Sequence, residues 1–158
     1  MLACDIPVPD NCKNPAELIE PIVTGQPIDV VVQEADERRK KALLADMDST
    51  LIQQECIDEL AAEAGVGNRV ADITARAMRG ELEFESALKE RVNLLKGLPV
   101  SIIVKVLNDR ITLMPGAKEL AATMRANGAY CALVSGGFTQ FTSQIADILG
   151  FHENRANT

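Results

Sequence analysis

Ala42-Leu-Leu-Ala-Asp46-Met-Asp48-Ser-Thr50 is the stretch on which the fold turns. A short apolar run ends in two carboxylates two positions apart, and two hydroxyls follow. Leu43 and Leu44 suit a buried strand. Asp46 and Asp48 do not, unless they stand at its end, because burying an unpaired carboxylate is costly. In an open α/β sheet the carboxyl ends of the strands are where ligands bind. The stretch therefore reads as strand first and acidic site second. A solvated turn with an Asp cap is the competing reading of the same residues.

Downstream the texture is helical. Ile57, Leu60, Ala61 and Ala64 recur at helical spacing and stop at Gly65. Val66, Val70, Ile73 and Ala77 predict a second helix closed at Gly80. Phe84, Ala87, Leu88 and Leu95 predict a third, and Ile103, Val106 and Leu107 a fourth. Pro115-Gly116 then opens a helix carrying Ala117, Leu120, Ala121 and Met124 on one face, with Asn127-Gly128 as its stop. Ala129–Val134 reads as a second buried strand and Ser135-Gly-Gly137 as a tight turn. Phe141, Ile145, Ile148 and Leu149 line a last helix closed by Gly150. Helix, strand, glycine turn and helix in succession are α/β architecture. The fold class expected is α/β, with a partial Rossmann-like parallel sheet and an inserted four-helix cap. Residues 1–40 read as an N-terminal linker segment, 41–52 and 113–158 as the core, and 53–112 as the helical insertion.

Upstream, five of the seven prolines precede residue 28. A short helix is expected after Asn14-Pro15, and Ile28-Asp-Val-Val-Val32 could form a strand. Arg38-Arg-Lys-Lys41 reads as a solvated lead-in to the first strand. The net charge of −7 argues against a nucleic-acid surface. It also gives no long-range attraction for anionic substrates, so an anion site must be built locally. No apolar run approaches the ~20 residues of a membrane span. Cys4, Cys12, Cys56 and Cys131 match no zinc spacing, and reduced thiols in a cytoplasmic protein are expected. Cys56 and Cys131 read as small apolar fillers.

Three further features could carry chemistry. Glycines between a buried strand and a helix let backbone N–H groups approach an anion, and Ser135 adds a hydroxyl donor. A plain strand-to-helix turn is the alternative. Arg91 falls on the apolar stripe of Phe84, Ala87, Leu88 and Leu95. It either snorkels to solvent or faces a pocket and takes a carboxylate. Glu55 could hold an ammonium group, or be an exposed first-turn residue favoured by the helix dipole.

Taken together, Asp46-Met-Asp-Ser-Thr-Leu-Ile-Gln-Gln-Glu55, Phe84-Glu-Ser-Ala-Leu-Lys-Glu-Arg-Val92 and Val134-Ser-Gly-Gly-Phe138 resemble the phosphoserine phosphatases of the haloacid dehalogenase superfamily. Asn154-Arg-Ala-Asn157 fits the same pattern, and the resemblance runs from about Lys40 onward. It implies hydrolysis of a phosphorylated amino acid through an aspartyl phosphate. Asp46 would be the nucleophile. Asp48 would be the general acid for the leaving alkoxide and then the base for water. Mg²⁺ would be held by the Asp46 carboxylate and the Asp48 carbonyl. Ser135 and the Gly136 N–H would hold phosphoryl oxygens, Glu55 the substrate ammonium and Arg91 its carboxylate. Met78 and Phe84 would line the cap pocket. For Asp48 to be protonated when the ester leaves, its pKa should be raised by Asp46 and by closure of the cap.

The resemblance also implies a Lys beyond the second motif and a G-D-G-x-N-D segment. No Lys follows Lys118 in these 158 residues, and the segment is absent from them. The chain is therefore expected to be a truncated core with its cap, impaired in activity and prone to self-association through an exposed sheet edge. Rival readings are a related phosphatase or phosphotransferase, for example on phosphohomoserine, and a non-catalytic interaction module.

Overall fold

The computed structural model describes residues 4–36 and 38–158. The chain divides into two compact units, Met1–Lys40 and Lys41–Thr158. In the first, helix α1 spans Pro15–Val23, with Pro15 in its first turn, where a missing N–H costs nothing. Ile28–Val32 is not a strand. Its β-branched residues have strand propensity, but no described segment of this unit pairs with them, and an isolated strand has no ladder. Val30 and Val32 instead line a groove with Ala16, Ile19 and Val23 of α1.

The second unit is built on three parallel strands. Strand β1 is Ala42–Ala45, and the helical insertion follows as α2 (Cys56–Glu63), α3 (Gly67–Met78), α4 (Phe84–Asn93) and α5 (Ser101–Asp109). Then come α6 (Ala117–Ala126), β2 (Tyr130–Phe138), α7 (Thr139–Leu149) and β3 (Glu153–Asn157). The sheet order is β1-β2-β3, with β2 central. Ala42 to Ala45 pair in register with Tyr130 to Leu133. Ala132 to Val134 pair with Glu153 to Arg155, and the register shifts before Phe138 meets Asn157.

Two of these elements depart from the sequence reading. Ser135-Gly-Gly137 is not a tight turn: β2 runs through it to Phe138, and neither Gly136 nor Gly137 takes positive φ. Strand β3 lies where the sequence reading expected no strand. Its residues Glu-Asn-Arg-Ala-Asn lack the apolar alternation of a strand, and pairing with β2 organises them.

Strand alternation sets the core. Cys131 and Leu133 are fully buried on one face, and Leu133 packs in one cluster with Phe141, Ile145, Ala146 and Leu149 of α7 and Ala117 and Ala121 of α6. On the other face Leu44, Tyr130 and Val134 are exposed. Gly150, in the left-handed conformation, ends α7 and turns the chain into β3.

The insertion shares this core. Cys56 and Leu60 of α2 and Val106 of α5 pack in one cluster with Met47, Leu51, Ile52 and Phe141. Its two connecting strands of chain are clamped together. Ile52 and Leu113 form an antiparallel bridge. The Gln53 N–H donates to the Thr112 carbonyl at 2.9 Å, and the Met114 N–H to the Leu51 carbonyl at 2.9 Å. The Gln54 amide closes a two-bond ring with Thr112, at 2.8 and 2.9 Å.

Candidate active site

The acidic pair stands where β1 gives out. Ala45 is the last strand residue, and Asp46 and Asp48 flank a fully buried Met47. Burying Met47 turns its two neighbours to the opposite side. The Met47 carbonyl then accepts the N–H groups of Thr50, Leu51 and Ile52, at 3.2, 2.9 and 3.1 Å, which curls the chain back over the strand end. Ser49, inside this curl, has φ 52°. That left-handed conformation is uncommon for a residue with a side chain.

Asp48 is the more enclosed carboxylate. Its Oδ1 accepts the backbone N–H of Cys56 at 3.1 Å. Cys56 opens α2, so Asp48 satisfies one of the orphan donors of a helix N-terminus. Burial pushes the Asp48 pKa up; the Cys56 hydrogen bond partly opposes it, and the charges of Glu55 and Asp46 add to it. The expected direction is thus present, with desolvation as the main cause and Asp46 the smallest contributor. The same enclosure, with Asp48 alongside, raises the Cys56 thiol strongly, so Cys56 is an inert filler.

The end of β2 faces this pair. The Gly137 N–H donates to Ser135 Oγ at 2.9 Å. A Cβ on Gly137 would lie 3.0 Å from Asp48 Oδ2, 3.1 Å from Ser135 Oγ and 3.2 Å from Met47 Cε. The carboxylate and the hydroxyl therefore converge on one point that only a glycine leaves open. Across the register shift, Asn157 Nδ2 donates to the Gly136 carbonyl at 2.8 Å and holds this segment against β3.

A cleft of about 200 Å³ joins these groups to the insertion. It is lined by Asp46, Asp48, Ser135, Gly136 and Gly137 from the core, and by Glu55, Phe84 and Arg91 from the insertion. Seven of the eight residues singled out from sequence thus line one cleft. The eighth, Met78, does not: it ends α3 and is 85% exposed. Val70 and Ile73 face inward on that helix. Five residues beyond Ile73, Met78 is turned roughly 140° away from it. The expectation that it lines the pocket is corrected.

Arg91 is half-buried and weakly held by protein. Its Nε lies 3.4 Å from the Ala87 carbonyl and one terminal nitrogen 3.5 Å from Thr74 Oγ1, both long for hydrogen bonds. The Glu55 carboxylate accepts from Ser49 Oγ at 2.7 Å. Sequence reading gave no site role to Ser49, Thr74 or Asn157, whose parts come from tertiary neighbours. It also missed Asp58, whose pKa is raised by partial burial and by Glu55, with Arg91 opposing.

The donor set suits a hard cation. Among the described residues no group of three or more His, Cys, Asp or Glu could hold a metal. One or two carboxylates with water and a phosphate are what Mg²⁺ takes, because it dehydrates reluctantly. Asp46 and Asp48 fit that pattern.

The haloacid dehalogenase-like hydrolase family matches this chain over residues 43–158. The chain belongs to that family. Among its relatives, the phosphoserine phosphatase of Archaeoglobus fulgidus is 50% identical over 125 residues, which make up 78% of this chain and 36% of that protein. The phosphoserine phosphatase of Streptococcus thermophilus is 52% identical over 118 residues, covering 75% of this chain and 54% of that one. This haloacid dehalogenase-like chain thus spans about a third to a half of the curated relatives it matches. Two solved structures superpose on it with a TM-score of 0.68. One, a phospho-aspartyl intermediate analogue of phosphoserine phosphatase, is 44% identical over 75% of this chain and 56% of its own. The other, a substrate-bound phosphoserine phosphatase complex, is 43% identical over 76% of this chain and 57% of its own. The α/β fold with a parallel sheet and four inserted helices is the architecture of the family as this chain displays it.

Proposed function

We propose that this protein is a phosphomonoester hydrolase acting on O-phospho-L-serine. The observation that supports this most is the pairing of chemistries in one cleft. A carboxylate pair and a serine-glycine strand end sit at the core side, and Glu55 and Arg91 at the insertion side. A phosphorylated amino acid carries complements to each: a phosphoryl group, an ammonium and a carboxylate. The curated relatives and the two superposed structures carry the same activity in their names.

In this mechanism Asp46 is the nucleophile. Its carboxylate oxygen bonds to phosphorus while the ester oxygen leaves, taking a proton from Asp48. Water then attacks the acyl phosphate and gives a proton back to Asp48, releasing phosphate. Two displacements are each easier than one direct hydrolysis. Burial keeps Asp48 protonated to higher pH than a free carboxyl, which suits the first step. The Ser135 hydroxyl and the Gly136 N–H hold phosphoryl oxygens, Arg91 takes the substrate carboxylate and Glu55 its ammonium. The Asp46 carboxylate and Asp48 carbonyl would hold Mg²⁺, which supplies screening between nucleophile and phosphate. A reducing cytoplasmic setting agrees with four free cysteines. With a net charge of −7, the partner is a small molecule rather than a nucleic acid. Among the described residues no helix is long and apolar enough to cross a membrane.

The test is a substrate panel assayed with Mg²⁺. Phosphoserine should be hydrolysed in preference to phosphohomoserine and phosphoethanolamine. Arg91→Ala should raise KM for phosphoserine about tenfold or more, as loss of a charge-assisted bond requires. It should leave phosphoethanolamine, which lacks the carboxylate, nearly unchanged. Equal losses on both esters would show that Arg91 is structural.

A further inference from the structure

The curl between Asp48 and α2 contains a bond that neither phosphoryl transfer nor metal binding uses. Ser49 Oγ donates to Glu55 Oε1 at 2.7 Å. The hydroxyl is itself held in place. The Ser49 N–H donates to the Gln54 carbonyl at 3.1 Å, and Gln54 is locked to Thr112 through both ends of its amide. Ser49 is also the one non-glycine residue with positive φ among the described residues. Glycine or asparagine holds that conformation at lower cost. A serine there trades backbone ease for a hydroxyl aimed at Glu55.

Glu55 needs such help. It precedes α2 in extended conformation, lies exposed, and its side chain makes no capping bond to the helix. An unrestrained glutamate loses side-chain entropy on gripping a cation. Pinning Oε1 beforehand moves that cost from binding to folding and leaves Oε2 for the ligand.

We propose that Ser49 is a positioning residue that holds the Glu55 carboxylate ready for the ammonium group of an amino-acid phosphate ester. It thereby sets selection against esters that lack an ammonium. The inference rests on the role given to Glu55 under the proposed function. It assigns the selectivity of the cleft to two side chains, one touching substrate and one behind it.

Isothermal titration of the whole chain with O-phospho-L-serine and with 3-phosphooxypropanoate, its analogue lacking the ammonium, tests this. The unmodified protein should bind phosphoserine more tightly. Ser49→Gly, which relaxes the backbone and so keeps the fold, should weaken phosphoserine binding about tenfold and the analogue less than about twofold. Ser49→Asn, which tolerates the same conformation and retains a donor, should recover most of the preference. Glu55→Gln should lose the preference altogether. If Glu55→Gln abolishes selectivity and Ser49→Gly does not, the positioning role is overturned while the proposed function stands. If Ser49→Gly weakens both ligands equally, Ser49 is a structural residue and the inference fails. If the unmodified protein does not prefer phosphoserine, the substrate assignment fails and takes the inference with it.

Discussion

The backbone N–H of Cys56 donates to Asp48 Oδ1 at 3.1 Å, so the first helix of the insertion is anchored on the carboxylate assigned to proton transfer. In the proposed mechanism one residue serves as both the seat of the cap and the acid of the reaction. Because burial raises its pKa, Asp48 favours the folded state most below the ordinary carboxyl pKa of 3.8, and that contribution is lost as pH rises through the raised folded value. Asp48→Asn removes the penalty while its amide oxygen still accepts from Cys56. It should lower kcat by about 10²–10⁴-fold. It should also raise Tm near pH 7, with the gain shrinking in acid. Kinetics and thermal melts at pH 3.5 and 7 check both.

Gly137 is expected to resist any side chain. Asp48 is tethered at Oδ1 and Ser135 Oγ by the Gly137 N–H, so neither can retreat from an added methyl group. Gly137→Ala should cost about 1–3 kcal/mol by overpacking and displace Asp48. A fall in kcat larger than the change in KM, measured beside a denaturant melt, is the expected result. Unaltered kcat would mean that the strand end shifts freely.

Asn157 reaches across the register shift to the Gly136 carbonyl at 2.8 Å. Asn157→Ala should loosen the segment proposed to hold phosphoryl oxygens. Inhibition by inorganic phosphate should weaken several-fold, and the spectrum of folded secondary structure should stay the same. Phosphate inhibition constants for the two proteins decide it.

Helices α2 and α5 are joined by charge. Glu63 pairs with Lys105 and, at 2.9 Å, with Arg110, while Glu59 meets Arg110 at 3.1 Å. These bonds hold the Glu63 pKa below its ordinary 4.5. A lowered folded pKa adds stability above pH 4.5 that disappears as pH falls through the folded value. Glu63→Gln should lower Tm at pH 7 and lose that deficit in acid. High salt should shrink the difference too, because these pairs are solvent-facing.

Local pattern carried most of this fold in the sequence. Helical spacing located α2 to α7, since each buries one stripe, and Ala42–Ala45 with its trailing carboxylates located β1. Pattern failed where pairing decides the outcome. Ile28–Val32 has the composition of a strand and no partner. Glu153–Asn157 lacks that composition and has β2 beside it. The cleft was legible through its charged residues, whose types are rare at the end of a strand or on an apolar stripe. Ser49, Thr74 and Asn157 were not, because a hydroxyl or amide gains its part only from the neighbour it meets. Met78 was misplaced by the phase of a helix end.

The most direct test of the account is to find the phosphoryl group on the protein. The chain is mixed with phosphate-labelled phosphoserine and Mg²⁺, quenched in acid within one turnover, and reduced with borohydride, which converts an acyl phosphate of aspartate to homoserine. Peptide sequencing by mass spectrometry should find homoserine at position 46 alone, and Asp46→Asn should show none. Label on another residue, or reduction that persists in Asp46→Asn, would contradict the assignment of Asp46 as the nucleophile.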